Sequence, residues 1–106
     1  MSKKYCNRII DMLKHYRRIA GMVKDIVMNF DPNAKIIVFG SVVRGKFTGA
    51  SDIDILIITE RIDLKYDIMV AVYKQIEAPI ELHVITNKQF NDWYAKFIDQ
   101  NELEEI

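Results

Sequence analysis

Two aspartates lie two residues apart at the start of a strongly apolar run. Asp52 and Asp54 open the segment "DIDILIIT", whose later residues are typical of a buried β-strand. In a strand, residues two apart point to the same face and are separated by about 6.6 Å. Both carboxylates are therefore expected to project together. Because like charges repel and buried charge is costly, a divalent cation such as Mg²⁺ would stabilise the pair.

An Asp-Ile-Asp triplet also occurs by chance in many proteins, with one aspartate at a solvated strand end and the other paired with a nearby lysine or arginine. The upstream residues favour a site instead. The apolar run "KIIVFG" ends at Gly40, and Ser41 begins a turn that contains further glycines. Free backbone N–H groups at such a turn favour a phosphate, and Arg44 and Lys46 can meet its oxygens. A phosphate cradle followed by paired carboxylates is what metal-assisted phosphoryl or nucleotidyl transfer requires.

A third acid is available in the later segment "IELHVIT", which alternates with the period of a strand. If this strand lies beside the one that carries Asp54, Glu81 can reach the same face; the alternative is an exposed acid on an edge strand. His83 shares the face of Glu81, and we interpret it as a structural histidine that could touch the site.

The rest of the chain predicts the elements that must position these residues. Apolar residues recur every three or four positions through residues 1–30, which predicts one long helix or two helices broken near Gly21. A second amphipathic helix is expected from Asp63 to Glu77. Thr86 and Gln89 form a capping-box pattern that predicts a final helix to about Ile98.

These elements predict one domain over residues 1–106, of class α/β or α+β, with helices packed against a small mixed sheet of three to four strands. The sheet, the remaining helices and the active site are expected within residues 35–98. Residues 99–106 carry four acids and no base, and we expect a solvated acidic tail.

Composition excludes several classes of protein. Fifteen basic and fifteen acidic residues balance to a formal net charge of zero, so we expect no direct nucleic-acid or membrane binding. No apolar run approaches the ~18 residues of a membrane span, and the N-terminal residues lack the apolar core of a signal peptide. The single cysteine, Cys6, excludes an internal disulfide and a cysteine-based zinc site, which favours a reducing, cytoplasmic setting.

The stretch "FGSVVRGKFTGASDIDILI" resembles the signature of the DNA polymerase beta-like nucleotidyltransferase superfamily, in which Gly-Ser is followed after about ten residues by Asp-x-Asp. The Arg-Gly after Gly-Ser, and the serine before the first aspartate, are similar to the minimal nucleotidyltransferases of bacteria and archaea. The order of strands and helices extends the likeness over most of the chain. The resemblance implies a palm-like fold and a single nucleotidyltransferase domain.

The resemblance also implies roles for particular residues. Gly40 and Ser41 would hold the nucleoside triphosphate, and Asp52 and Asp54 would bind Mg²⁺. Glu81 would be the third acid, as general base or metal ligand, although minimal members usually have Asp there. Two further residues match positions that often bind nucleotide: Arg44 and Ser51. Two Mg²⁺ ions are expected, Mn²⁺ can replace them, and ATP is the expected substrate.

Minimal members of the family resemble antitoxins encoded beside a HEPN-domain ribonuclease toxin, and some of them add AMP to a tyrosine of that partner. The resemblance therefore implies a HEPN partner and AMP transfer to it. The alternative is a non-catalytic antitoxin or nucleotide-binding subunit that neutralises its partner by binding. A third interpretation is an oligomerising α/β module without a site. Aromatic residues of the last helix are interpreted as core or partner-facing: Trp93, Tyr94 and Phe97.

Overall fold

The computed structural model describes residues 3–106, with side chains from residue 7 onward, so the side chain of Cys6 lies outside the described part. The chain forms a four-stranded mixed sheet with helices on both faces, which confirms the predicted fold class. Among residues 3–106, no helix has the length and apolar character needed to cross a membrane.

The N-terminal segment forms two helices, α1 (Lys3–Lys14) and α2 (Tyr16–Met28). The break lies at His15 and not near Gly21, which is helical within α2, so the expected position of the break is wrong. Packing explains the difference. The neighbours of Gly21 include the fully buried Ala20 and Val23, and their burial offsets the cost of about 1 kcal/mol that glycine brings to a helix interior.

Each strand of the sheet follows from a short apolar run. The order across the sheet is β3-β2-β1-β4, with β1 antiparallel to both β2 and β4, and β2 parallel to β3. Strand β2 is central and buried on both faces, apart from one position near its start. The strands are β1 (Lys35–Phe39), β2 (Ile53–Ile58), β3 (Ile80–Ile85) and β4 (Leu103–Glu105).

The two faces of the sheet are covered by different helices. The larger core lies between one face and the helices α1, α2 and α4 (Lys65–Gln75). A 3-10 turn at Ile62–Leu64 precedes α4. A smaller core on the other face joins Ile37, Leu56 and Ile85 to the C-terminal helical segment. That segment comprises α5 (Asn87–Gln89), a π-helical turn (Phe90–Tyr94) and α6 (Ala95–Phe97).

The start of the C-terminal helical segment confirms the predicted capping box. The Gln89 backbone N–H donates to the Thr86 hydroxyl, and the Thr86 N–H donates to the Gln89 side-chain oxygen at 2.9 Å. Two backbone donors that a helix start leaves unpaired are thereby satisfied. The capping box fixes where the segment leaves β3, and so where its aromatic residues lie.

The acidic tail is not a free, solvated segment, and this prediction is wrong. After a 3-10 turn at Gln100–Glu102, β4 pairs with β1 along the sheet edge. Two apolar residues join the cores, Leu103 on one face and Ile106 on the other. Glu104 is paired with a base, since Arg17 donates to both of its carboxylate oxygens at 2.7 and 2.9 Å.

Candidate active site

Strand pairing places two of the predicted acids side by side. Asp54 is the second residue of β2 and Glu81 the second residue of β3, and the parallel register sets them directly opposite each other. His83 follows on the same face of β3. One ligand atom from each of these three residues lies within 4.8 Å of the others. We call Asp54, Glu81 and His83 the acid cluster.

Asp52 lies immediately before β2 and is exposed. It is not among the three residues whose ligand atoms converge within 4.8 Å. Its charge nevertheless acts on Asp54, because it contributes to the raised pKa of that carboxyl group. Asp52 therefore lies outside the acid cluster, directly before β2.

The carboxyl group of Asp54 has a strongly perturbed acidity. Partial burial is the largest cause, and a hydrogen bond and like charge from Glu81, followed by the charge of Asp52, add to it. Together they raise the pKa of Asp54 from 3.8 to about 6. Carboxyl groups with such shifts are frequent at functional sites. A raised pKa suits a group that transfers protons, and the unfavourable charge of the ionised form is relieved when a cation binds.

The ion pairs of the described side chains leave this group of acids without a lysine or arginine partner. Among the side chains of residues 7–106, no lysine or arginine forms an ion pair with Asp52, Asp54 or Glu81. The nearest ionic partner of Glu81 is the imidazole of His83, at 3.9 Å. Among the described side chains, the alternative of an aspartate paired with a nearby lysine or arginine is therefore not observed.

Gly40 stands against Asp54 because β1 and β2 are neighbours. It directly follows β1 and has φ 90° and ψ −153°, a conformation that residues with a Cβ rarely adopt. A Cβ at this position would lie 3.0 Å from an Asp54 carboxylate oxygen. Ser41 then begins the short helix α3 (Ser41–Arg44). The glycine therefore keeps open the space between the turn and the acid cluster.

The other predicted nucleotide-binding residues have partners of their own. The Arg44 guanidinium lies 3.3 Å from the Glu102 carboxylate, and the Gly40 N–H donates to the Glu102 carbonyl oxygen at 3.0 Å. The Ser51 hydroxyl accepts from the Thr48 N–H at 2.9 Å and so braces the loop before β2. Ser51 therefore stabilises the loop before β2, whereas Arg44 forms an ion pair with Glu102 in the 3-10 turn that precedes β4.

Aromatic rings enclose the histidine of the acid cluster. The His83 ring lies 5.7 Å from the Phe39 ring and 6.1 Å from the Tyr94 ring, both in tilted arrangements. The sequence pattern does not predict Phe39 and Tyr94 as site residues, and it favours a structural role for His83. The period-two spacing of His83 and Glu81 is the signal in the sequence that places His83 at the site. The contacts of Phe39 and Tyr94 depend on long-range packing that no local pattern shows.

The donor set of the acid cluster fits a divalent metal ion. Carboxylate oxygens are the preferred ligands of Mg²⁺ and Mn²⁺, and an imidazole suits transition metals. The raised pKa of Asp54 reflects negative charge that a cation would compensate. The chemistry of these residues is therefore compatible with metal-assisted transfer to or from a phosphate.

Solved structures with the same architecture support this reading of the fold. A crystal structure of a proposed nucleotidyltransferase has a TM-score of 0.65 and 26% identity, and the match covers 81% of this chain and 95% of that one. A proposed nucleotidyltransferase from Sulfolobus solfataricus has a TM-score of 0.52 and 26% identity, over 87% of this chain and 82% of that one.

A more distant likeness concerns the fold alone. Cid1, solved in complex with its short product ApU, has a TM-score of 0.54 and 18% identity, over 82% of this chain and 34% of the Cid1 chain. No curated protein matches the sequence.

The sequence itself matches the family model of the nucleotidyltransferase domain over residues 20–106. The match spans the turn at Gly40, the acid cluster and the C-terminal strand. The match agrees with the resemblance of the Gly-Ser and Asp-x-Asp motifs to the nucleotidyltransferase signature. The chain belongs to the nucleotidyltransferase domain family.

Proposed function

We propose that this domain transfers a nucleoside monophosphate from a nucleoside triphosphate to a hydroxyl group, at the acid cluster and Asp52. One observation carries the proposal. Asp54 and Glu81 lie opposite each other on neighbouring parallel strands, beside a glycine that leaves room at the Asp54 carboxylate. Carboxylates gathered next to a turn suited to phosphate, with no lysine or arginine partner among the side chains of residues 7–106, match the needs of nucleotidyl transfer.

The carboxylates of Asp52, Asp54 and Glu81 are the proposed ligands of Mg²⁺, with two ions expected and Mn²⁺ as a substitute. When bound there, Mg²⁺ would neutralise charge on the triphosphate and lower the pKa of the acceptor hydroxyl. Burial and Glu81 disfavour the ionised form of Asp54 and so raise its pKa. A bound cation would stabilise that ionised form.

The residues of the turn after β1 bind the triphosphate in this proposal. The open space at Gly40 admits the phosphates to within reach of the cluster, and the hydroxyl of Ser41 donates to a phosphate oxygen. Arg44 pairs with a further phosphate oxygen after exchanging its present partner, Glu102. Ser51 acts through the loop that it braces, because its hydroxyl is held by the Thr48 N–H.

The reaction makes one bond and breaks one. The acceptor oxygen attacks the α-phosphorus, the bond from the α-phosphorus to the leaving pyrophosphate breaks, and the acceptor proton passes to a carboxylate. Glu81 is suited to take that proton, since its side chain is 56% exposed at the edge of the cluster. The imidazole of His83, at 3.9 Å, orients the Glu81 carboxylate.

The finer proposal concerns substrate and partner. ATP is the proposed donor, AMP the transferred group, and a tyrosine of a HEPN-domain toxin the acceptor, with the chain acting as the antitoxin of the pair. The resemblance of the Gly-Ser and Asp-x-Asp motifs to minimal nucleotidyltransferases supports this part. A non-catalytic antitoxin that neutralises its partner by binding is the competing function.

Label transfer separates the two functions. The chain is incubated with α-labelled ATP, Mg²⁺ and the protein encoded by the neighbouring gene, and the label on that protein is measured. We expect Asp54→Asn, which loses a proposed metal ligand, and Glu81→Gln, which loses the proposed proton acceptor, each to reduce transfer at least about 100-fold. Glu77→Gln, at a carboxylate with 93% exposure just before β3, should transfer normally.

Two outcomes contradict the proposal. The first is transfer that survives both substitutions in the acid cluster. The second is the absence of transfer from the wild-type chain while both it and the Asp54→Asn variant still neutralise the partner, because neutralisation then depends on binding alone.

A further inference from the structure

A cavity next to the acid cluster has no role in the proposed transfer. It has a volume of about 600 Å³ and lies between the sheet and the C-terminal helical segment. Its walls are mainly aromatic, with one amide side chain, that of Gln89. Cavities of this size, with apolar walls and few polar groups, are typical of small-molecule sites.

The aromatic residues of this cavity are far more exposed than core residues. Trp93 is 65% exposed and Phe97 is 75% exposed, and their rings lie 5.4 Å apart with an interplanar angle of 33°. Trp93 and Tyr94 belong to the π-helical turn, a rare irregularity that is frequent at functional sites. Solvent-exposed aromatic side chains that are grouped around an open cavity favour a ligand with a flat apolar face.

The cavity is continuous with the acid cluster through Phe39 and Tyr94. Both residues line the cavity, and both rings contact His83. Phe39 is also the pairing partner of Asp54 across β1 and β2. A ligand that places its phosphates at Gly40 and Asp54 can therefore extend along the Phe39 wall into the cavity.

Gln89 adds a polar group suited to a heterocycle. Its side-chain oxygen accepts the Thr86 N–H in the capping box at 2.9 Å, which fixes the amide group. Its two amide N–H donors can therefore be offered to the ligand in a defined position. A purine presents ring nitrogens that accept such bonds and a face that stacks on aromatic rings.

We propose that this cavity is the nucleobase subsite, which holds the purine of the donor nucleotide against Trp93 and Phe97. The inference rests on the proposed function, since it takes the phosphates to lie at the acid cluster. The continuity of the two sites favours the base of the same nucleotide over a protein partner or a second copy of the chain.

Trp93 supplies the assay, because it is the only tryptophan in the chain. Its fluorescence is measured during titration with ATP and Mg²⁺, with adenosine alone, and with inorganic tripolyphosphate and Mg²⁺. We expect ATP and adenosine to quench the emission and tripolyphosphate to leave it unchanged, because tripolyphosphate has no base to stack on the indole ring.

Affinity measurements by calorimetry complete the test. We expect Phe97→Leu and Trp93→Leu each to weaken ATP binding about tenfold, within the range for loss of one stacking partner. Their affinity for tripolyphosphate should not change. Tyr66→Leu removes an aromatic ring that is 77% exposed on α4 and should leave both affinities unchanged. Unaltered thermal melting of each variant verifies its fold.

Failure of this inference can be told from failure of the proposed function. If Phe97→Leu and Trp93→Leu both bind ATP as tightly as the wild type, and the Trp93 emission of the wild type is not quenched, the base lies elsewhere and the subsite is refuted, whether or not label transfer succeeds. If Trp93 emission changes on dilution of the protein alone, the aromatic face is a contact between copies, and the inference is also wrong. If Asp54→Asn loses tripolyphosphate binding but retains adenosine quenching, the subsite and the acid cluster are confirmed as separate parts of one site.

Discussion

Replacing Asp54 by asparagine should make the metal-free protein more stable at neutral pH. The pKa of Asp54 is raised from 3.8 to about 6 in the folded state, first by burial and then by Glu81 and Asp52. Since the folded state binds this proton more tightly than the unfolded state, ionisation of Asp54 costs stability. The cost is absent below pH about 4, grows between the two pKa values, and is complete above pH about 6. Asparagine has no charge and avoids it.

The two pKa values set the size of the effect. At about 1.4 kcal/mol for each pH unit between them, the ionisation of Asp54 costs at most about 3 kcal/mol. Because the carboxyl group is only partly buried, water screens the charge, and we expect about 1 to 2 kcal/mol. For a domain of this size, that difference raises the Tm of Asp54→Asn by about 5 to 10 °C.

Thermal melting followed by circular dichroism, in EDTA at about pH 7.5 and about pH 4, measures this difference. The gain should be largest at the higher pH and nearly vanish at the lower one. Asp25→Asn, at an exposed position of α2, should show no comparable gain. Added MgCl₂ should raise the Tm of the wild type more than that of Asp54→Asn. A variant that is less stable than the wild type at about pH 7.5 in EDTA would refute the electrostatic argument.

Two further predictions follow from contacts outside the acid cluster. Glu102→Gln weakens the pairing with Arg44 and should tighten ATP binding by up to about fivefold, because an exposed ion pair contributes about 0.2 to 1 kcal/mol; calorimetry that shows weaker binding contradicts the proposed exchange of partners. Thr59→Val removes the hydroxyl that donates to the buried Asp31 carboxylate and should cost about 1 to 3 kcal/mol of unfolding free energy in urea. Thr59→Ser keeps that hydroxyl, and an equal loss of stability in the serine variant would show that the hydrogen bond is not the cause.

The sequence predicts the parts of the site that depend on local spacing. The period of two places Glu81 and His83 on one face of β3, and the run that ends at Gly40 predicts the turn after β1. The pairing of Asp54 with Glu81 requires in addition that β3 lie parallel to β2 and in this register. The sequence therefore predicts Glu81 at the site only on the condition that the two strands are neighbours.

Contacts between distant segments could not be predicted in this way. The pattern "LEEI" is too short and too acidic to indicate a strand, and Leu103–Glu105 pairs with β1 because β1 offers a free edge and the cores accept Leu103 and Ile106. The enclosure of His83 by Phe39 and Tyr94 likewise depends on where the C-terminal helical segment docks.

The central claim is that the acid cluster binds a metal ion together with the phosphates of a nucleotide. A crystal structure with Mn²⁺ and an ATP analogue that cannot be cleaved next to its α-phosphate tests it most directly, because anomalous scattering locates manganese independently of the coordinates. We predict a manganese peak bonded to the carboxylates of Asp54 and Glu81, with the phosphates at Gly40 and Ser41. Nucleotide or manganese bound only elsewhere, with these carboxylates free, would contradict the claim.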